Sequence, residues 1–195
     1  NVVTDDAAIA YAEAGADVIR IGIGAGSACT TRIVAGVGYP QFSAIQNIRP
    51  IIDRCGITCV ADGGIKNSGD IVKALAAGAD AVMLGGLLAP FRIAAGEVVY
   101  MQTKEESPVN EVFPAHKNYK EDIAKLFTGQ AQVPEKIPQI VAMKQFRGMA
   151  SDAALSRRGK ENYVVEGEQF MVPVSSNHEE FIKTLVDGIT TGLSY

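Results

Sequence analysis

The run from Gly22 to Thr31 contains the residues of this chain that are best suited to chemistry. A predicted strand, Asp17 to Gly22, leads directly into a glycine-rich loop that ends in Cys29. Glycine adopts backbone conformations that other residues avoid, so such a loop can approach a bound ligand closely. The pattern predicts a reactive thiolate that faces a bound anion. For an isolated glycine-rich loop, however, a turn with a buried and inert cysteine is the more common explanation.

Two later pairs of glycines favour the reactive cysteine, because each pair follows a predicted strand. Gly63 and Gly64 follow Asp62, and Gly85 and Gly86 end the next strand. The exposed backbone N–H groups of paired glycines bind phosphate oxygens well. A carboxylate at a strand tip can accept hydrogen bonds from two vicinal hydroxyls, as on a ribose.

Ser27 adds a hydroxyl donor two residues before Cys29. A phosphate cradle, a ribose-binding carboxylate and a nucleophilic cysteine together predict a covalent enzyme that acts on a nucleotide.

Strands and helices alternate at intervals of about 25 residues, which predicts an α/β fold built from βαβ units. The strands are short and rich in Val and Ile, as in parallel sheets that are covered on both faces. Ligands bind at the carboxyl ends of the strands both in a (β/α)8 barrel and in an open doubly wound sheet, so spacing alone does not separate them. About three strands fall in the first 90 residues, too few for a complete eight-stranded barrel.

The predicted helices have recognisable ends. Thr4 is a candidate N-cap for a helix from Asp5, and the residues from Ser68 to Asp70 are expected to cap a helix that ends before Gly78. Pro50 is expected to interrupt a further helix, since proline removes a backbone donor.

The composition is that of an ordinary globular protein, with 47% hydrophobic and 21% charged residues. A net charge of −4 indicates neither a nucleic-acid nor a membrane partner. Three cysteines are too few for a disulfide framework and favour a reducing compartment, so a cytoplasmic location is expected. Cys55 and Cys59 lie four residues apart but have no further His or Cys nearby, which argues against a metal site there.

The segment from Pro90 to Met143 differs from the rest, because it contains five of the eight prolines. It is predicted to be an excursion inserted into a single catalytic domain that spans residues 1–195, and the abrupt start of the chain suggests a fragment of something longer.

Five motifs, in the same order, closely resemble the IMP dehydrogenase/GMP reductase family. They are Gly22-Ile-Gly-Ala-Gly-Ser-Ala-Cys-Thr-Thr-Arg32, Val34-Ala-Gly-Val-Gly-Tyr-Pro-Gln41, Ala61-Asp-Gly-Gly-Ile-Lys-Asn-Ser-Gly-Asp70, Ala76-Ala-Gly-Ala-Asp-Ala-Val-Met-Leu-Gly-Gly86 and Arg147-Gly-Met-Ala-Ser151.

The resemblance implies a TIM barrel of which this chain is the C-terminal half, and a homotetramer. Cys29 would attack C2 of the purine of GMP or IMP and form a thioimidate, while Thr31 and Glu166 would move protons. The other implied roles are substrate binding by Ser27, Asp62, Gly63, Gly64, Gly85, Gly86, Met149 and Ala150, cofactor binding (NADPH or NAD) by Arg20 and Gly22, and coordination of K⁺ by the backbone carbonyls of Gly24, Gly26 and Cys29.

Two activities in the family share the covalent intermediate. A dehydrogenase oxidises IMP with NAD and uses an Arg-Tyr pair on a long flap to activate water, whereas a reductase converts GMP with NADPH and needs only the Thr/Glu pair. The matching region, residues 152–165, is short and contains Arg157, Arg158 and Tyr163 but no adjacent Arg-Tyr pair. Because a base must lie within about 3 Å of the water that it activates, the sequence favours GMP reductase, with IMP dehydrogenase as the alternative.

Two other classes stay open. One is a phosphate-binding barrel fragment without catalysis, because half a barrel leaves a sheet edge unpaired. The other is a flavin-dependent barrel enzyme, although the run from Cys29 to Arg32 is not typical of one.

Overall fold

A computed structural model describes residues 1–108, 136–159 and 164–195. The chain divides into two compact units, Asn1–Glu97 with Lys144–Tyr195, and Val98–Met143. In chain order, the elements are α1 (Asp5–Glu13), β1 (Val18–Ile21), α2 (Thr31–Val34), α3 (Gln41–Cys55), β2 (Thr58–Asp62), α4 (Ser68–Ala76), β3 (Ala81–Met83), β4 (Val98–Pro108), β5 (Lys136–Arg147), α5 (Asp152–Arg157), β6 (Gln169–Pro173) and α6 (His178–Leu193).

The first unit contains a parallel sheet in which β1, β2 and β3 are neighbours in chain order. Arg20 pairs with Val60 and Asp62 pairs with Met83, so the three strands end at the same edge. The α/β class is therefore confirmed, and the glycines that follow each strand are brought to one side. The described residues form an open sheet here, not a closed barrel.

The helices cover one face of this sheet. Ile19 and Ile21 of β1 are buried in a core with α3, whereas Val18 and Arg20 on the opposite face are exposed. Met83 of β3 also lies on the exposed face. The prediction of strands covered on both faces is thus wrong for the described residues. The reason is that right-handed crossovers between strands in sequential order place every connecting helix on the same side.

The helix α3 shows how the sequence determines this packing. Its buried residues fall at helical spacing, namely Ala44, Ile45, Ile48, Ile51 and Ile52. Pro50 lies inside the helix without ending it, so the predicted interruption is wrong. The helix ends at Gly56, whose φ of 65° is a conformation that favours glycine.

Two predicted N-caps have different outcomes. Thr4 caps α1, since its hydroxyl accepts a hydrogen bond from the Ala7 N–H. The N-cap of α4 is Asn67 instead of Ser68, because the Asn67 side chain accepts from the Asp70 N–H at 3.0 Å. Asn is a strong N-cap residue. The observed N-cap therefore lies one position before the predicted one.

The second unit begins at Val98, so residues 90–97 of the predicted excursion fold with the first unit. It contains β4 and most of β5, which are neighbours in a sheet, and the sequence analysis had not predicted either strand. Tyr163 of the flap region lies outside the described residues. No helix in the described ranges is both long and apolar enough to cross a membrane.

A network of polar side chains links the amino-terminal ends of β2 and β3 to α3. Asp80 accepts hydrogen bonds from the Cys59 N–H at 2.8 Å and from Arg49 Nη1 at 2.9 Å. The hydrogen bond from the Cys59 N–H, with help from Arg49, holds the pKa of Asp80 below its usual value. Asp53 is bonded to the same Arg49, which likewise lowers its pKa, but its side chain is 58% exposed.

We expect Asp80→Asn to lower the free energy of unfolding by about 1 kcal/mol or more, because an amide cannot replace both acceptor contacts. Since the pKa of Asp80 is lowered on folding, its contribution is complete above the unfolded value, about 3.9, and is lost as the pH falls through the lower folded value. Urea denaturation between neutral pH and pH 3 measures both effects.

Asp53→Asn is the matched control, because it removes a carboxylate from the same Arg49 without touching the strand backbone. We expect no measurable change in stability for this variant. An equal loss in both variants would mean that the network is an ordinary surface ion pair.

Candidate active site

A chain of side-chain hydrogen bonds begins at Cys29. The Cys29 sulfur lies 3.1 Å from Thr31 Oγ1, and Thr31 Oγ1 donates to Glu166 Oε2 at 2.8 Å. All three residues are partly buried. The structure therefore brings together the three residues that the sequence assigned to catalysis, even though Thr31 and Glu166 are 135 positions apart.

The direction of these bonds follows from the chemistry of the groups. An ionised carboxylate can only accept, so the single hydroxyl proton of Thr31 points to Glu166. Thr31 Oγ1 then has only lone pairs to offer, and the thiol of Cys29 donates to it. The result is a path along which a proton can leave Cys29 through the hydroxyl of Thr31 to the carboxylate of Glu166.

Backbone hydrogen bonds fix the two ends of this chain. The Thr30 N–H donates to the Glu166 carbonyl at 2.8 Å, and the Glu168 N–H donates to the Ala28 carbonyl at 2.8 Å. The Glu166 N–H in turn donates to the Ala150 carbonyl at 3.1 Å. The cysteine loop, the segment before Glu168 and the segment around Ala150 thus form a short three-stranded ladder.

Two glycines allow the ladder to form. A Cβ atom on Gly148 would lie 2.8 Å from the Ala28 carbonyl oxygen, and one on Gly167 would lie 2.8 Å from the Ser151 nitrogen. Both distances are below van der Waals contact, so any side chain would push the three segments apart. Gly148 belongs to one of the five motifs, but neither glycine was predicted to have a role.

The glycines at the three strand ends converge beside Cys29. A Cβ atom on Gly63 would lie 2.8 Å from the Gly26 nitrogen, and one on Gly86 would lie 3.4 Å from Ser27 Oγ. A Cβ atom on Gly64 would lie 3.5 Å from the Ala25 carbonyl oxygen of the same loop. Gly63, Gly64 and Gly86 therefore lie close to the loop that contains Ser27.

Asp62 is bonded to two donors. Its Oδ2 forms an ion pair with Arg20 and accepts a hydrogen bond from Asn1 Nδ2 at 2.7 Å. The Asn1 amide also donates to the Gly22 carbonyl at 2.7 Å. The sequence had assigned Arg20 to the cofactor and Asp62 to the ribose. They meet because Arg20 pairs with Val60, and Asp62 lies two residues further along the same face of β2.

The loop before Cys29 turns at Gly24, whose φ is 78°. The stem of Arg32 fills the space beside it, so a Cβ atom on Gly24 would lie 2.7 Å from Arg32 Cγ. The Gly26 carbonyl accepts from the Cys29 N–H at 3.1 Å and keeps a second lone pair. No group of three or more His, Cys, Asp or Glu side chains converges as metal ligands in the described ranges.

Met149 and Ala150 were both assigned to substrate binding, and of the two only Ala150 is hydrogen-bonded to Glu166 in the ladder. Met149 is 63% exposed, and its sulfur accepts a hydrogen bond from Arg158 Nη2 at 3.7 Å. The sequence analysis also missed Gln41, whose Nε2 donates to the Ile21 carbonyl at 2.7 Å. Its place at the start of a helix after Pro40 gave no signal of this contact with the strand tip.

The fold and the site define an α/β protein in which Cys29, Thr31 and Glu166 are linked by hydrogen bonds beside glycine-rich loops at the carboxyl edge of a parallel sheet. A family model described as the IMP dehydrogenase / GMP reductase domain matches residues 1–111. The chain belongs to this family.

Several curated relatives match the whole chain. Proteins named inosine-5'-monophosphate dehydrogenase from Aquifex aeolicus, Bacillus subtilis and Thermoplasma acidophilum are each 38% identical to it, over 204, 203 and 202 residues. The aligned part is 34% of each relative. The chain thus spans about a third of the length of the relatives that it matches.

We expect Thr31→Val to slow alkylation of Cys29 by iodoacetamide at neutral pH by at least about tenfold, because the proton path to Glu166 is broken. Mass spectrometry of the Cys29 peptide measures the rate, and alkylation of the exposed Cys55 serves as an internal standard.

Thr30→Val is the matched control, since the hydroxyl of Thr30 makes no cap hydrogen bond at the start of α2. Rates for the two variants that agree within about twofold would contradict the proton path.

Proposed function

We propose that the protein is an NAD-dependent IMP dehydrogenase that works through a covalent intermediate on Cys29. The observation that carries the proposal is the hydrogen-bonded chain from Cys29 through Thr31 to Glu166. The relatives from Aquifex aeolicus and Bacillus subtilis bear the dehydrogenase name. The comparisons therefore do not support the preference for GMP reductase that the flap suggested, and they favour the alternative.

The proton path would also activate water without the adjacent Arg-Tyr pair that residues 152–165 do not contain. Before reaction, Thr31 accepts the Cys29 proton and passes its own to Glu166, so that the thiolate can attack C2 of IMP. Hydride then leaves C2, and NAD supplies the acceptor for it. Once the sulfur is bonded to the purine, the hydroxyl of Thr31 no longer contacts a thiol. After Glu166 has released this first proton to solvent, Thr31 can accept a proton from the attacking water and pass its own to Glu166. The hydroxide then adds to C2 and the Cys29 thiolate leaves, so that XMP forms without an Arg-Tyr pair.

The nucleotide's phosphate is assigned to the strand-end glycines. Ser27, Gly64, Gly85 and Gly86 would supply the donors, and the convergence of Ser27 with Gly86 supports this. Asp62 would bind the ribose hydroxyls with Oδ1, because Oδ2 is already bonded to Arg20 and Asn1. This ion pair also orients the carboxylate.

The residues around Gly24 fit a monovalent cation. Backbone carbonyls are hard, uncharged oxygen donors of the kind that coordinate K⁺. Those of Gly24, Gly26 and Cys29 would hold the ion, and it would supply order to the cysteine loop. Arg20 and Gly22 lie at the tip of β1, next to Asp62, and would face the nicotinamide.

The sheet geometry supports a (β/α)8 barrel over a doubly wound sheet. A doubly wound sheet reverses its strand order and carries helices on both faces. Here β1, β2 and β3 follow chain order, and the helices cover one face. In a barrel the exposed face with Val18 and Met83 would line the interior. The homotetramer and the cytoplasmic location stay predictions.

The test compares two substrate pairs with the full-length protein. We expect turnover of IMP with NAD, followed by absorbance of the reduced nicotinamide, and none above background for GMP with NADPH. Turnover of the second pair alone would restore the reductase. Binding of IMP without turnover of either pair would favour the non-catalytic alternative.

We expect Cys29→Ala to lower kcat by at least about a thousandfold, because the nucleophile is lost, while binding of IMP persists. Cys55→Ala is the control, since Cys55 is exposed and lies at the end of α3 next to the start of β2, whereas the site lies at the other end of that strand. Residual turnover of Cys29→Ala above about a thousandth of the wild-type rate would contradict covalent catalysis.

A further inference from the structure

Lys144 of β5 is buried, and no carboxylate among the described residues forms an ion pair with it. Its side chain is 1% exposed, and Nζ donates to the carbonyls of Phe91 at 3.0 Å, Arg92 at 3.5 Å and Ala94. Three carbonyl oxygens around one ammonium resemble a monovalent-cation site that the protein fills with its own side chain. Burial of a charge costs free energy, so the buried ammonium is expected to have a structural role that offsets this cost.

The three carbonyls belong to the segment from Gly85 to Ala94, which we call the phosphate turn. The Gly85 carbonyl accepts from the Leu88 and Ala89 N–H groups at 3.0 and 3.1 Å. The Ala94 N–H donates to the Phe91 carbonyl at 3.0 Å. The segment is therefore a series of hydrogen-bonded turns, and the carbonyls near its Ala94 end face the Lys144 ammonium. Lys144 complements the partial negative charge of these carbonyls, as a cation does at a helix C-terminus.

Other contacts make the Ala94 end a fixed point. The ring of Phe91 is buried and packs edge-on against Phe181 of α6, with ring centroids 5.1 Å apart. The Arg92 N–H donates to the Ser175 carbonyl at 3.2 Å, and the Ser175 N–H donates to the Pro90 carbonyl at 2.8 Å. The Ala94 end of the phosphate turn is therefore anchored by these contacts, and the Gly85 end lies near the site, since Gly86 lies close to Ser27.

The same face of β5 also contacts the Gly85 end. Side chains alternate along a strand, so Lys144 and Phe146 share one face of β5, and Gly148 follows directly after the strand. The ring of Phe146 would lie 3.5 Å from a Cβ atom on Gly85, and Gly148 lies against the Ala28 carbonyl. One row of alternate residues thus holds both ends of the phosphate turn and the cysteine loop.

We propose that Lys144 is a positioning residue for phosphate binding, an internal cation that sets the placement of Gly85 and Gly86. The inference rests on the proposed function for its ligand, since it takes the 5'-phosphate of IMP as the group that the turn receives. Lys144 does not touch the substrate. It acts through the carbonyls of Phe91, Arg92 and Ala94.

The test compares ligands with and without a phosphate in the full-length protein. Calorimetric titrations with IMP, inosine and inorganic phosphate are made on the wild type, on Lys144→Met and on Lys73→Met. Methionine keeps the unbranched shape and most of the length of lysine but has no charge. Lys73 is the control, because its side chain is 65% exposed and is paired with Asp70 on α4.

We expect Lys144→Met to weaken IMP and phosphate binding by at least about tenfold and inosine binding by less than about twofold, because only the phosphate end is displaced. Lys73→Met should bind all three ligands as the wild type does. A general loss of stability would weaken IMP and inosine together, and that result would overturn the proposal. So would IMP affinity within about twofold of wild type in a folded Lys144→Met protein.

Lys144→Arg covers the case in which Lys144→Met does not fold. Arginine keeps the charge but has a larger, planar head that cannot reach all three carbonyls in the same way. We expect a loss of about threefold, again confined to IMP and phosphate. Equal losses for IMP and inosine, or none, would overturn the proposal.

Failure of the proposed function is a separate result. If the wild type binds phosphate but does not turn over IMP with NAD, the dehydrogenase is wrong, and the phosphate titrations still decide the role of Lys144. A wild type that binds neither phosphate nor IMP more tightly than inosine would overturn both.

Discussion

The candidate site depends on the backbone ladder that joins three distant parts of the chain. The cysteine loop is bonded to Glu166 and Glu168, and Glu166 is bonded to Ala150. The segments can approach only because Gly148 and Gly167 have no side chains. The ladder places the carboxylate of Glu166 within reach of Thr31, and without it the cysteine would have no proton acceptor.

A second constraint comes from the parallel sheet. Three parallel strands that end at one edge bring their following loops together, whatever the sequences of those loops are. Gly26, Gly63 and Gly86 meet there because each follows or faces a strand tip. Asn1 and Gln41 tie the tip of β1 to Asp62 and to α3 through side-chain amides. The chemistry of the loops is thus supported by regular elements that are buried on one side.

Local patterns in the sequence predicted this sheet and most of the candidate site. The strand β1 was predicted to within one residue at each end, and the strands before Gly63 and Gly85 were also expected, because short apolar runs before glycine are typical of buried parallel strands. The grouping of Cys29, Thr31 and Glu166 came from a family resemblance, not from spacing, since nothing local indicates a contact over 135 residues.

Other features could not be predicted because they depend on tertiary contacts. The ion pair of Arg20 and Asp62 requires the register of β1 against β2. The burial of Lys144 contradicts the usual exposure of lysine, and only the carbonyls of a segment 50 residues away explain it. The single covered face of the sheet follows from strand order, which the spacing of elements does not reveal.

The central claim is that Cys29 attacks the purine of a bound nucleotide. The most direct measurement is an acid quench of the full-length protein during turnover of IMP with NAD, followed by mass spectrometry of its peptides. We expect an added purine nucleotide on the peptide that contains Cys29 and none on the peptides that contain the other cysteines. Turnover with an unmodified Cys29 peptide at every time point, or an adduct on Cys55 instead, would contradict it.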